Sequence, residues 1–122
     1  AARRIAEGSG ESLVLGNVSV ARDWGWAPEY VEAMHLMLRA EQPVDYVVAT
    51  GRTSSLGDFL EAVFLCAGLD WRDHVTYSKE LHRPSDIAAN RADPSRIESV
   101  LGWRARIDLE TLARKLVHDD LY

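Results

Sequence analysis

A strand-like run followed closely by a capped helix constrains the fold of this chain more than any other feature. Residues 45–51, DYVVATG, carry a continuous apolar run that ends at Gly51, which predicts a strand covered on both faces. Ser55 then stands three residues before Asp58, the spacing of a capping box at the start of a helix. The predicted helix buries a stripe of apolar side chains: Leu56, Leu60, Val63, Phe64 and Ala67. A strand that leads into such a helix favours an α/β fold.

The first part of the chain shows the same alternation. A helix is predicted over residues 1–7 with Gly8 as its stop, and a strand over residues 12–16. Pro28 suits the first turn of a helix that runs to about Ala40. Its apolar residues recur at helical spacing: Tyr30, Met34, Met37 and Leu38.

The last part adds one more strand and two more helices. Residues 74–78, HVTYS, predict a strand. A short helix is predicted between Asp93 and Gly102, and a final helix begins at Asp108. This last helix is expected to share one face among Leu109, Leu112 and Leu116. The 122 residues are enough for one buried core, so the sequence predicts a single α/β domain of few short strands and about five helices.

The composition and charge argue against several classes of partner. A net charge of −5 without any basic run does not favour nucleic-acid binding. No apolar run reaches the roughly 20 residues of a membrane helix, and nothing resembles a signal peptide, so we expect a cytoplasmic protein. The single cysteine, Cys66, has apolar neighbours and is expected to be a buried small hydrophobe. An anionic ligand would have to be bound by a few specific arginines.

Common catalytic and metal-binding motifs are missing. The four histidines lie singly, without Cys or His at ligand spacing, so no metal site is expected. GSGES, residues 8–12, half resembles a dinucleotide-binding fingerprint. It lacks the third glycine and precedes a predicted strand instead of a helix, so we interpret it as a turn. The sequence has neither a Gly-x-Ser-x-Gly elbow nor a P-loop.

Two arginines remain as candidate ligand-binding residues. Arg22 lies in RDWGWAPEY, an aromatic corner before a predicted helix, and Arg83 lies in HRPSD beside Pro84 and Asp86. The planar guanidinium group suits phosphate oxygens, and a nearby carboxylate suits sugar hydroxyls. The alternative is that Arg22 pairs with Asp23 or another acid, and that Arg83 and Asp86 belong to a solvated loop.

Taken in order, three segments closely resemble the C-terminal part of the GDP-mannose 4,6-dehydratases, which are extended short-chain dehydrogenases. These segments are LVLGNVSVARDWGWAPEYVEAMHLML, PVDYVVATGRTSSLGDFLEAVF and RPSDIAANRADPSRIESVLGW. The most specific parts are LGN with RDWG, the ATG at the end of the predicted strand, and RPSD with ADPS and LGW. The resemblance covers nearly the whole chain. It implies a small sugar-nucleotide-binding domain over residues 1–122, with the Rossmann domain of the enzyme absent.

The resemblance also implies which residues bind the GDP end of GDP-mannose. In the family, the Leu-Gly-Asn segment lies beside the nucleotide, and the arginines of the Arg-Asp-Trp-Gly and Arg-Pro segments lie near the diphosphate. An acidic residue three positions after the second arginine is the ribose partner. In this chain these positions are Leu15, Gly16, Asn17, Arg22, Arg83 and Asp86. Asp86 has a shorter side chain than the glutamate that the family usually carries.

Catalytic chemistry is implied to lie outside this chain. In the family an N-terminal Rossmann domain binds NADP and carries a Thr/Ser-Glu-Tyr-Lys set, whereas none of the four tyrosines here has a lysine four residues later. We therefore expect no catalytic, cofactor-binding or metal-binding residue, and no activity from the chain alone. The chain opens without an initiator methionine, inside a helix-like pattern, so we expect a piece of a longer homo-oligomeric enzyme. Without its own Rossmann domain as partner, it should expose an apolar face.

Two other functions stay open. One is another sugar-nucleotide dehydratase, epimerase or reductase of the same superfamily. The other is a nucleotide-sugar-binding module that never had a catalytic half. The leading hypothesis is the dehydratase, which converts GDP-mannose to GDP-4-keto-6-deoxymannose on the way to GDP-fucose or GDP-rhamnose.

Overall fold

The computed structural model describes residues 1–81 and 85–118. Within these ranges the chain forms four short strands and five α-helices, which confirms the predicted α/β fold. The elements are α1 (Ala2–Ala6), β1 (Leu13–Leu15), β2 (Ala21–Asp23), α2 (Ala27–Leu38), β3 (Thr53–Ser55), α3 (Leu56–Cys66), β4 (Val75–Tyr77), α4 (Ser95–Leu101) and α5 (Leu109–His118). No helix in these ranges is long and apolar enough to cross a membrane.

The strands form two separate pairs. β1 and β4 are parallel, with Leu13 opposite Val75 and Leu15 opposite Tyr77, so both strands end at the same edge. β2 and β3 are antiparallel, with Arg22 opposite Ser54. The strands predicted at residues 12–16 and 74–78 are confirmed as β1 and β4.

The first hydrophobic cluster lies under the β1–β4 pair. It brings together α1, α3, β4 and the short 3-10 turn Trp71–Asp73. Its buried side chains are Ala2, Ile5, Leu60, Phe64, Trp71 and Val75. Leu60 and Phe64 belong to the stripe that the sequence predicted for α3, so that prediction is confirmed.

The capping box of α3 is also confirmed. The Ser55 hydroxyl accepts from the backbone N–H of Asp58 at 3.0 Å, and Asp58 Oδ2 accepts from the backbone N–H of Ser55 at 2.8 Å. The Ser55 hydrogen bonds lower the pKa of the Asp58 carboxyl group. The next two amides of α3 donate to the carbonyls of Val20 and Val18, both at 2.9 Å. The chain leading into β2 is therefore tied to the start of α3.

A second cluster joins α2 to α4. Ala33, Ile97 and Trp103 are buried there, and Tyr46 and Val48 pack against them. Glu29 on α2 is only 4% exposed, and its carboxylate accepts from the backbone N–H groups of residues 106 and 107 at 3.0 and 3.2 Å. It also accepts from Nε of the Arg106 side chain at 3.1 Å. This buried carboxylate fixes α2 to the segment that enters α5.

Two sequence predictions are wrong. Residues 45–51 do not form a strand: residues 43–49 are outside regular secondary structure, and β3 begins later, at Thr53. The apolar run has no neighbouring strand in the described part of the chain, so no ladder forms. Leu116 is exposed, because α5 buries Leu112, Ala113 and Val117 instead, with the small side chain of Ala113 at its fully buried position.

The predicted helix ends agree more closely with the structure. Asp93 and Asp108 accept backbone N–H groups two and three residues later, at 3.0 and 2.9 Å. Gly102 closes α4 with φ of 66°, the left-handed conformation that favours glycine. Pro28 lies in the first turn of α2 as predicted.

Candidate functional site

Strand β2 carries two neighbouring charged residues that face opposite sides. Successive side chains of a strand point to opposite faces, so Arg22 and Asp23 cannot pair with each other on this strand. Arg22 instead reaches segment 86–90, and Asp23 reaches the turn before β3. The candidate site lies on the Arg22 side.

Three hydrogen bonds hold the Arg22 guanidinium group. Nη1 donates to the backbone carbonyls of Ala21 and Ile87, at 2.8 and 2.7 Å, and Nη2 donates to Oδ1 of Asp86 at 3.2 Å. Both partners of this ion pair are partly open, with about a third of each side chain exposed. Among the described residues no partner is found for Nε–H or for the second Nη2–H.

Segment 86–90 runs alongside β2 and keeps this arrangement in place. The backbone N–H of Ala21 donates to the carbonyl of Ala88 at 2.8 Å, and the N–H of Asn90 donates back to the carbonyl of Ala21 at 3.1 Å. The Thr53 hydroxyl adds a hydrogen bond to the carbonyl of Asn90 at 3.2 Å. Asp86 therefore enters the site from a segment that is attached to both strands of the β2–β3 pair.

The Asp23 side of β2 is closed by internal contacts. Its two carboxylate oxygens accept the backbone N–H groups of Thr50 and Gly51 at 2.9 and 2.8 Å. The Tyr30 hydroxyl donates to the same carboxylate at 3.3 Å. Burial raises the pKa of Tyr30 to about 12, and the negative charge of Asp23 adds to the effect. Asp23 thus fixes the turn before β3, where Gly51 has φ of 74°.

The aromatic residues after Arg22 fix the corner between β2 and α2. Trp24 donates from Nε1 to the carbonyl of Ser54 at 3.0 Å and stacks on Phe59 with ring centroids 4.5 Å apart. Gly25 lies so close to Tyr30 that a Cβ atom would overlap its hydroxyl group. The Trp26 ring lies 5.3 Å from the Lys115 ammonium group. The backbone that follows Arg22 is consequently held against β3, α3 and α2.

Leu15, Gly16 and Asn17 lie at the edge where β1 and β4 end. The Leu15 side chain packs against the first cluster, and its carbonyl accepts from the N–H of Ser78 at 2.8 Å. A Cβ atom on Gly16 would lie 2.7 Å from the carbonyl oxygen of Leu81, so this close approach requires glycine. The ends of parallel strands are where α/β sheets usually bind ligands.

The amide oxygen of Asn17 is engaged locally. It accepts from the backbone N–H of Ser19 at 2.9 Å and from its hydroxyl at 2.7 Å. These bonds shape the turn between β1 and β2, so the described role of Asn17 is to hold that turn.

Arg83 lies outside the described residues, so its position relative to Arg22 stays a prediction. Its expected companion Asp86 is described, and it contacts Arg22. Of the six predicted site residues, the structure brings two together directly, Arg22 and Asp86. The alternative that Arg22 pairs with an acid is met by Asp86 and not by Asp23.

A cleft of about 510 Å³ lies away from Arg22, where α3 approaches the start of α5. Its charged lining is mostly acidic: Asp58, Glu61, Asp108 and Glu110, with Arg52 as the basic member. This charge is the wrong sign for a diphosphate. Across the described ranges there is no cluster of three potential metal ligands.

Sequence reasoning missed the two carboxylates that organise the site's surroundings, Asp23 and Glu29. The alternation of side chains along a strand would have predicted that Asp23 faces away from Arg22 and has a different partner. Glu29 gave no local signal, because its partners at residues 106 and 107 are more than 70 positions away.

The fold is shared with solved structures of a UDP-glucose 4-epimerase and a dTDP-glucose 4,6-dehydratase. The UDP-glucose 4-epimerase of Thermotoga maritima, solved with UDP-glucose, superimposes with a TM-score of 0.81 at 20% sequence identity. The superposition covers 96% of this chain and 36% of the epimerase chain. At that identity the likeness establishes the fold alone.

Sequence comparison identifies the family. The model of the family "GDP-mannose 4,6 dehydratase" matches residues 1–116. GDP-mannose 4,6 dehydratase 1 of Arabidopsis thaliana is 42% identical over 118 residues, which is 97% of this chain and 33% of the relative. The Homo sapiens GDP-mannose 4,6 dehydratase is 34% identical over 135 residues, which is 97% of this chain and 36% of the relative. The chain belongs to the GDP-mannose 4,6 dehydratase family, and it spans about a third of the length of these curated relatives.

Proposed function

We propose that this chain is the substrate-binding portion of a GDP-mannose 4,6-dehydratase and that it binds the GDP end of GDP-mannose. Its parent enzyme would convert GDP-mannose to GDP-4-keto-6-deoxymannose as a homo-oligomer. The observation that carries the proposal is the guanidinium group of Arg22, which is held by three hydrogen bonds and has two further N–H groups without a partner among the described residues. A pre-positioned planar donor of this kind suits a diphosphate.

In this proposal each predicted residue has a separate task. Arg22 and Arg83 neutralise the diphosphate, and Asp86 accepts hydrogen bonds from the ribose hydroxyls. Asp86 already holds Arg22, so it would connect the sugar to the diphosphate-binding group. Leu15, Gly16 and Asn17 would form the wall beside the nucleotide, where the Gly16 backbone approaches residue 81 closely.

The cofactor NADP would be bound by the N-terminal Rossmann domain of the parent. The residues described here do not fit a dinucleotide site, because the glycine-containing turn at residues 8–12 lies between α1 and β1 and does not open a helix. We therefore assign no hydride-transfer or proton-transfer step to this chain, and we expect it to be inactive alone.

The second candidate is another sugar-nucleotide dehydratase or epimerase, and the shared fold keeps it open. Substrate comparison separates the two: the dehydratase proposal expects GDP-mannose to be consumed by the parent enzyme and UDP-glucose to be left unchanged. The reverse preference would favour the alternative.

Calorimetric titration of the chain with GDP tests the binding role. We expect weak but measurable heat at millimolar GDP, and less with GMP, because the diphosphate is the group that Arg22 is proposed to contact. The absence of heat with GDP would contradict a preformed site. An initiator methionine directly before Ala1 in the coding sequence would contradict the proposal that an N-terminal Rossmann domain precedes this chain.

A further inference from the structure

A second cleft, of about 670 Å³, lies at the end of α2 that is far from Arg22. It is bounded by the loop that follows α2, by residues 44–46 and by α4, and we call it the α2–α4 cleft. Because α2 is 12 residues long, about 18 Å of helix separate this cleft from the corner that follows Arg22. The α2–α4 cleft is therefore distinct from the candidate diphosphate site.

Apolar side chains line much of the α2–α4 cleft. Tyr46 and Leu101 line it and also pack against the second hydrophobic cluster, so they are anchored in the core. Val44 and Val100 line it as well, and they are 44% and 61% exposed. An apolar or aromatic group bound in this cleft would remove these two valines from water, which favours binding.

Two arginines and one acidic residue supply the charge of the α2–α4 cleft. Arg39 directly follows α2 and Arg96 lies on α4, and Glu41 is the acidic member of the lining. Nη1 of Arg96 donates to the carbonyl of Asp45 at 3.2 Å, which holds the Arg96 side chain beside the cleft. The Arg39 side chain has no hydrogen-bond or ion-pair partner in the part of the chain that the structure describes. Two basic residues against one acidic residue favour an anionic ligand.

The cleft between α3 and α5 carries the opposite charge. Four acidic residues and one arginine line that cleft, and the whole chain has a net charge of −5. A basic lining in the α2–α4 cleft is therefore an exception to the charge of the molecule as a whole. Because the attraction between exposed charges falls off within about 10 Å at ordinary ionic strength, the local arginines decide which ligand is attracted there.

We propose that the α2–α4 cleft binds a phosphate monoester with an apolar or aromatic body. A phosphate monoester carries close to two negative charges at neutral pH, and its oxygens accept strong hydrogen bonds from guanidinium groups. Arg39 and Arg96 would bind the phosphate, and Val44, Tyr46 and Val100 would contact the body. A cleft of this size with apolar walls and a few polar groups is typical of a small-molecule site. The proposal does not depend on the function of the Arg22 site.

Titration of the chain with phenyl phosphate, followed by amide NMR, tests this site. We expect the amides of residues 39–42, 44–46 and 96–101 to shift together and to saturate in the millimolar range. Inorganic phosphate lacks the aromatic body, and benzoate carries a single charge. Each should therefore bind at least about 5-fold more weakly than phenyl phosphate.

The variant Arg39→Gln distinguishes this site from a general effect of charge. It removes a guanidinium group that has no partner within the described ranges, so the fold should be kept, and affinity for phenyl phosphate should fall at least about 5-fold. Arg104→Gln removes the same charge from an exposed residue outside the cleft lining, so the Kd should change less than about twofold. Arg22→Ala should leave the Kd unchanged.

Several results would overturn the proposal. One is the absence of a saturable shift of these amides with phenyl phosphate. Another is an equal loss of affinity in Arg39→Gln and Arg104→Gln, which would reduce the effect to net charge. Loss of phenyl phosphate binding in Arg22→Ala would assign the ligand to the candidate diphosphate site instead. Binding of inorganic phosphate as tight as that of phenyl phosphate would contradict the proposed ligand class.

Discussion

The two sides of strand β2 differ in how completely their charged groups are used. On one side, the oxygens of Asp23 accept two backbone N–H groups and the Tyr30 hydroxyl, all from within the chain. On the other side, Arg22 is held by Ala21, Asp86 and Ile87 but keeps two donors without a partner in the described ranges. A charge whose bonds are all internal supports the fold, and a charge that is held but not saturated can recognise a ligand.

The largest expected effect comes from removing the Asp23 carboxylate. Asp23→Ala should lower the free energy of unfolding by about 3 kcal/mol, because two backbone donors lose a charged acceptor. Asp23→Asn should cost less, since its amide oxygen can still accept one of the two N–H groups. Urea denaturation measures both, with Glu41→Ala at an exposed loop position as the control. If Asp23→Ala lowers the free energy of unfolding no more than the control does, Asp23 does not stabilise the fold as described.

Removing the Arg22 guanidinium group should weaken GDP binding and leave the free energy of unfolding nearly unaltered. Arg22→Ala should weaken GDP binding by about 1.5–3 kcal/mol, roughly 10- to 150-fold in Kd, through the loss of a charge-assisted contact. Its effect on unfolding should stay below about 1 kcal/mol, because the ion pair with Asp86 is partly exposed. Arg22→Lys should restore only part of the affinity, since an ammonium group lacks the planar fork. Calorimetry provides the Kd values. Equal affinity of the wild type and Arg22→Ala for GDP would contradict the assignment of Arg22 to the diphosphate.

The family resemblance assigns a second arginine, Arg83, to the diphosphate. In the parent enzyme, Arg83→Ala should mainly raise KM for GDP-mannose, by about 1.5–3 kcal/mol of lost binding, with a smaller change in kcat. Steady-state kinetics of the parent and the variant measure the two constants separately. An unchanged KM would exclude Arg83 from the diphosphate site and leave Arg22 as its single proposed arginine.

The smallest expected effect is a pH dependence of the free energy of unfolding that comes from Tyr30, the partner of Asp23. The pKa of Tyr30 is raised from 10.0 to about 12 by burial and by Asp23. Because the folded state holds this proton more tightly than the unfolded state, the contribution is fully present below pH 10 and is lost as the pH rises through about 12. An ultraviolet titration should show a late tyrosine ionisation near pH 12, and Tyr30→Phe should remove that late step. A late step that persists in Tyr30→Phe would assign it to another tyrosine.

The local features of the fold were predictable from the sequence, and the long-range ones were not. The capping box at Ser55 and the stop at Gly102 depend on residues within one turn, so their patterns are readable. The strand predicted at 45–51 failed because a strand requires a neighbour, and the pattern of one segment does not reveal whether that neighbour is present. The burial of Glu29 depends on Arg106, 77 positions away, and no spacing rule connects them.

The candidate site divides in the same way. Arg22 and Asp86 were singled out by residue type and by the family resemblance, and the structure brings them within 3.2 Å of each other. Their direct pairing was not predicted, because the sequence interpretation placed Asp86 with Arg83. The parallel run of segment 86–90 beside β2 produces the contact, and this run is a property of the fold.

Nitrogen-15 NMR of the arginine side chains during a GDP titration tests the central claim most directly. The Nε–H signal of Arg22, assigned with Arg22→Lys, should shift progressively and saturate with the same Kd that calorimetry gives. The exposed Arg104 should show no saturating shift and serves as the internal control. Saturable GDP binding that leaves the Arg22 signal in place would show that the nucleotide binds elsewhere.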